Sequence, residues 1–117
     1  IIHTNDWQTA LVNLYINVFY RHMPKFYNIK TVFTIHNIAY QGQYGLDIND
    51  AVLGIPHEYV NQLEYENCAN FMKAAIENAD KDTIISAPGT SCREQIGHFS
   101  SRKALHPIVV LYNALKK

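Results

Sequence analysis

Polar and aromatic side chains gather directly after the short apolar runs of this chain. Ile1-Ile2-His3 leads into Thr4-Asn5-Asp6-Trp7, Thr31-Val32-Phe33-Thr34-Ile35 leads into His36-Asn37, and Ile108 to Tyr112 leads into Asn113. A histidine that closes a buried strand ahead of a long glycine-bearing loop stands where a ligand can bind. Its ring can hydrogen-bond a sugar hydroxyl, or its backbone carbonyl can face developing positive charge. Spacing alone favours the plainer alternative, in which His36 caps the strand and bonds its own loop. Asp6 opens a helix, where a carboxylate either caps the helix or meets a ligand hydroxyl at the positive end. Trp7 is a sugar-stacking surface or an apolar staple into the core, and spacing again favours packing. Tyr40 and Gln41 beside Gly42 pair a flat ring with an amide, which suits carbohydrate and also suits ordinary surface loops.

Other chemistries leave no trace. The six histidines show no tight metal-binding pair, and Cys68 and Cys92 are isolated, so no metal and no cofactor is expected. There is no phosphate-cradling glycine loop and no serine in a nucleophile elbow. Lys73, inside Phe71-Met72-Lys73-Ala74-Ala75, reads as a solvated or snorkelling residue on a helix face.

The elements that must position these residues follow from periodicity. Trp7, Ala10, Leu11, Leu14, Tyr15 and Val18 form one helical stripe running to about Arg21, and Pro24 stops it. A second helix is predicted over Asn67 to Ala79, with Cys68, Phe71, Met72, Ala75 and Ile76 on one face. Thr90 to Phe99 is a weaker helix candidate. Strands are predicted at Ile1–His3, Thr31–Ile35, Asp82–Ser86 and Ile108–Tyr112, with an irregular stretch from His36 to Pro56. Alternating strands and helices predict an α/β fold, a Rossmann-like parallel sheet with helices on both faces. Ligands sit at the carboxyl ends of such strands. His3 to Asp6, His36-Asn37 and Asn113, with Ser86 as a weaker fourth, would then share one rim.

Composition sets outer bounds. The 117 residues carry ten basic and ten acidic side chains, so no net field draws the chain to nucleic acid or an anionic membrane. No apolar run is long enough to span a bilayer, and no secretory signal opens the chain. A cytoplasmic setting with reduced thiols is expected. The chain begins on strand residues without an initiator methionine and ends just after an apolar run, as a piece of a longer protein would.

Three segments carry a resemblance. His3 to Leu11 resembles the H-x-x-D-W-H/Q-x-x-L motif of bacterial-type glycogen and starch synthases. Lys30 to Gly42 is nearly identical to that family's K-T-V-F-T-I-H-N-I-A-Y-Q-G. Asn70 to Ile76, followed by Ala79-Asp80-Lys81, resembles its N-F-M-K-A-G-I-x-x-A-D-K. The likeness spans about Ile1 to Ile85; residues 86–117 match poorly. It implies that residues 1–117 form a single partial Rossmann-like domain, the amino-terminal one of a GT-B glycosyltransferase. Such an enzyme moves glucose from ADP-glucose to the non-reducing end of an α-1,4-glucan, retains anomeric configuration and uses no metal. The histidine matching His36 contacts the donor glucose beside the reacting carbon, which reverses the preference from spacing. Asp6 and Trp7 match acceptor-side residues, and Asn113 matches the asparagine of an L-N-G-[IV]-D motif.

The family's K-x-G-G-L nucleotide loop and its donor-binding carboxyl-terminal Rossmann domain lie outside these residues. The segment alone is therefore expected to be inactive, its full-length parent binding ADP-glucose and glucan. A non-catalytic carbohydrate- or nucleotide-binding module and a degenerate gene product are the competing readings. A doubly wound sheet deprived of neighbouring strands exposes an open edge and an apolar face. The isolated chain is expected to be marginally stable or to associate, giving a broad, concentration-dependent thermal transition in calorimetry. A sharp transition from a monodisperse monomer contradicts this.

Overall fold

The computed structural model describes residues 1–81 and 83–116. Two compact units divide the chain, Ile1–Ala79 and Asp80–Lys117. In the first, strand β1 (Ile2–Asn5) runs into helix α1 (Asp6–Tyr15), which continues as one wider π-helical stretch, Ile16–Tyr20. Strand β2 (Thr31–Thr34) pairs parallel with β1, Ile2 opposite Thr31 and Asn5 opposite Thr34. This β-α-β unit follows the predicted order. The predicted stripe on α1 is also the buried one. Ala10 and Leu14 are fully buried, and Trp7, Leu11, Tyr15 and Val18 pack on the same cluster.

The stretch predicted to be irregular is more structured than periodicity indicates. It contains strand β3 (Gln43–Gly45) and a π-helical turn, Asn49–Leu53, followed by a 3-10 helix, His57–Gln62. Strands β4 (Glu64–Tyr65) and β5 (Cys68–Asn70) complete a three-stranded antiparallel sheet in the order β3-β5-β4. Helix α2 (Phe71–Glu77) follows β5 directly. The predicted helix over Asn67 to Ala79 is thus corrected at its start. Residues 68–70 spend their backbone bonds on the ladder, and Asn70 caps the helix by accepting from the Lys73 N–H at 2.9 Å. Met72, Ala74 and Ala75 are fully buried, and small side chains at 74 and 75 let α2 lie close to Ala10 and Leu14 of α1.

The second unit holds β6 (Ile85–Ser86), helix α3 (Thr90–Phe99), β7 (Ala104–Leu105) and helix α4 (Pro107–Leu115). Its two strands pair parallel, and α3 has the bounds the sequence suggests. The predicted third strand is shorter than expected. Asp82 lies outside the described residues, and the Thr83 carbonyl accepts from the Arg102 guanidinium at 2.7 Å instead of joining a ladder. The fourth predicted strand, Ile108–Tyr112, is corrected outright, because those residues are helical. Pro107 sits at the first helical position, where its missing N–H costs nothing, and the His106 ring accepts from the Ile108 N–H at 3.2 Å. As a helix, the run satisfies its backbone groups within its own turns. No residue of α4 is buried.

The α1–α2 contact is the centre of the first unit, and Leu14 is its largest fully buried aliphatic side chain on α1. Leu14→Ala is expected to remove about 2–5 kcal/mol, comparable to the whole stability of a marginal unit. Trp7, the sole tryptophan, reports this through its emission during urea unfolding. An unchanged midpoint would contradict the assignment of this contact as the core.

Candidate functional site

The parallel pairing of β1 and β2 brings their carboxyl ends side by side. Asp6 is the first residue after β1, and His36 lies two residues beyond β2, so the register sets them next to each other. The Asp6 carboxylate accepts from the His36 backbone N–H at 2.7 Å and from His36 Nδ1 at 2.9 Å. A longer bond of 3.4 Å comes from the Asn37 N–H. Asp6 therefore does not cap α1, one of the two roles open to it in the sequence. Its side chain crosses to the neighbouring strand, and the Thr9 hydroxyl closes the first helical turn on Asn5 instead. To make this crossing Asp6 adopts φ +55°, a left-handed conformation that short polar residues such as aspartate tolerate better than most.

The bonds fix the chemistry of the pair. An ionised carboxylate only accepts, so Nδ1 carries the proton that joins it and Nε2 of the neutral ring is left as an acceptor. The His36 side chain is 63% exposed against 29% for Asp6. The carboxyl of Asp6 is held below its ordinary value of 3.8, first by the His36 backbone N–H, against a smaller opposing effect of burial, and further by the His36 ring and the Asn37 N–H.

Beyond His36 the chain turns tightly. The Asn37 side chain accepts from the Ala39 N–H at 3.0 Å, so it shapes the turn. Gln41 and Gly42 then dock on the start of α2: the Met72 N–H donates to the Gln41 carbonyl and the Phe71 N–H to the Gly42 carbonyl, both at 3.1 Å. Gly42 has φ +66°, and a Cβ there would come within 2.7 Å of Trp7 Cε3. Glycine is required on both counts. Trp7 packs tilted against Tyr44 and Phe71, with ring centroids 6.2 and 6.4 Å away. Trp7, Tyr40, Gln41 and Tyr44 also line a shallow depression of about 330 Å³.

The structure thus brings together Asp6, Trp7, His36, Asn37, Tyr40 and Gln41 within the first unit. Asn113 belongs to the second unit and lies on α4, not at a strand end, so the argument that put it on a strand rim falls. Lys73 is not merely solvated: its ammonium donates to the carbonyls of Asn61 and Glu64 at 2.8 and 2.5 Å. Two further residues border this region. Tyr44 lies on β3, a strand that periodicity does not reveal inside the long loop, and Asn70 ends β5 and caps α2, for which an asparagine before Phe71-Met72-Lys73 is an ordinary helix-start signal.

Residues 1–105 match the model of the family described as the starch synthase catalytic domain. The chain belongs to that family. Among curated relatives of this starch synthase segment, a glycogen synthase of Desulfitobacterium hafniense is 43% identical over 111 residues, covering 93% of this chain and 23% of the relative. A glycogen synthase of Bacillus cytotoxicus is 36% identical over 115 residues, covering 97% of this chain and 23% of the relative. That of Bacillus subtilis is 41% identical over 88 residues, covering 74% and 18%. The chain spans about a fifth of the length of these relatives.

Because the Asp6 carboxylate is held low, it contributes stability that is fully present above its unfolded value near 3.8 and is lost as pH falls through the lower folded value. Asp6→Asn is expected to lower the urea midpoint at pH 7 and to show a much smaller deficit at pH 2. An equal deficit at both pH values contradicts a role for the charged carboxylate.

Proposed function

We propose that this chain is part of the acceptor-side Rossmann-like domain of a retaining GT-B glucosyltransferase. In the whole enzyme it would take ADP-glucose as donor and the non-reducing end of an α-1,4-glucan as acceptor, in glycogen or starch synthesis. The observation that carries this reading is the Asp6–His36 junction at the carboxyl ends of paired parallel strands, inside a segment of the starch synthase family. Parallel α/β sheets bind ligands at that edge.

In this reading His36 contacts the donor glucose near the reacting carbon. Asp6 fixes the proton on Nδ1 and leaves Nε2 to accept from a sugar hydroxyl. Trp7 and Tyr40 offer apolar ring area to a sugar face, while Gln41 and Asn37 frame the loop between them. The other wall of the cleft, with the groups that neutralise the leaving diphosphate, belongs to a second Rossmann-like domain. The segment by itself is inactive.

A chimera tests this. The matched stretch of this chain replaces its counterpart in the Desulfitobacterium hafniense glycogen synthase, and glucosyl transfer is measured. The chimera is expected to be active, and His36→Ala within it to lose about a hundredfold or more in turnover, with donor affinity changing less. The fold should survive, since the side chain is largely exposed. Ordinary turnover by a well-folded His36→Ala chimera would reduce the histidine to a strand cap.

A further inference from the structure

The loop from His36 to Gly42 is anchored at both ends, and only its front anchor has been given a role. At its rear, Asn70 is fully buried and uses both halves of its amide. Its Oδ1 accepts from the Lys73 N–H at 2.9 Å, capping α2. Its Nδ2 donates to Gln41 Oε1 at 2.7 Å. Gln41 in turn donates from Nε2 to the Ile38 carbonyl at 3.1 Å, closing the turn that carries Tyr40. Serine would cap α2 as well as asparagine does, but it cannot reach Gln41. The cap alone therefore does not account for an asparagine here; the bond to Gln41 does.

We propose that Asn70 is a positioning residue: it locks the Gln41 side chain and so holds Tyr40 and Gln41 in place on the rim, independently of the Asp6–His36 anchor. This deepens the glucosyltransferase reading and rests on it for its kinetic consequence. Two separate anchors divide the work. Loss of the front anchor disturbs the ring beside the reacting carbon, whereas loss of the rear anchor loosens only the sugar-facing part of the loop. The second should appear in substrate binding and leave turnover nearly unchanged.

Two measurements test the proposal with Asn70→Ser, which keeps the cap and removes the bond to Gln41. In the 117-residue chain, amide hydrogen exchange at residues 39–43 is expected to rise by about three- to tenfold, as loss of one buried hydrogen bond implies. Exchange within α2 should stay unchanged. A uniform rise across both segments, or none in the loop, overturns the clamp. Asn70→Thr, which also keeps the cap and cannot reach Gln41, should give the same pattern and replaces the serine variant if that one does not fold. In the chimera with the Desulfitobacterium hafniense enzyme, Asn70→Ser should raise KM for glucan by about three- to tenfold with kcat within about twofold. A fall in kcat at constant KM, or no kinetic change, overturns the positioning role. An inert unsubstituted chimera would instead sink the glucosyltransferase reading, and the exchange pattern would still decide whether the clamp exists.

Discussion

The Asp6 carboxylate is the point on which the site depends. It sits where β1 becomes α1, and it gathers the backbone and ring of His36 and the backbone of Asn37 from the end of β2. These N–H groups lie at the exposed end of β2, where water is the competing partner, so each bond adds a modest net gain. One ionised side chain satisfies them together. The left-handed backbone at Asp6 costs on the order of 1–2 kcal/mol, and charge-assisted hydrogen bonds are the stronger kind that offset such strain. Strain at a strand end, held by surrounding bonds, is a recurring feature of ligand-binding edges.

From that point the loop to Gly45 is held by successive contacts of different character. Asp6 fixes its start by charge. The first N–H groups of α2, which have no partner inside the helix, fix Gln41 and Gly42 through their carbonyls. Trp7 lies beneath Gly42 with no space for a side chain between them. The aromatic group of Trp7, Tyr44 and Phe71 then joins α1, β3 and α2 at one place. Trp7, which the sequence offers as either core or ligand surface, packs along one side of its ring and borders the depression along another.

The second unit obeys other constraints. Its parallel pair is only two residues on each strand, and several carbonyls outside its helices are satisfied by side chains, as where Arg102 bonds the Thr83 carbonyl and Arg93 those of Ala87 and Pro88. Family likeness extends to residue 105, the end of β7. The apolar helix α4 follows it, with Ile108, Leu111 and Leu115 more than half exposed.

The sequence by itself determined the features that local periodicity encodes. The buried stripe of α1, the bounds of α3 and the strand character of residues 31–34 follow from which side chains must leave water. The motifs placed Asp6 and His36 at the ends of successive strands, and an α/β order made those strands parallel neighbours. Periodicity does not say which distant group completes a backbone bond. The late start of α2, the strand within the loop and the helical state of residues 107–115 each turned on that. Cys68 to Asn70 found a ladder partner about twenty-five positions away, whereas Ile108 to Tyr112 has no strand partner among the described residues. The Asp6–His36 bond and the Asn70–Gln41 bond are likewise contacts between residues about thirty positions apart. Only the tertiary structure decides such pairings, because each depends on two remote segments arriving in the same register.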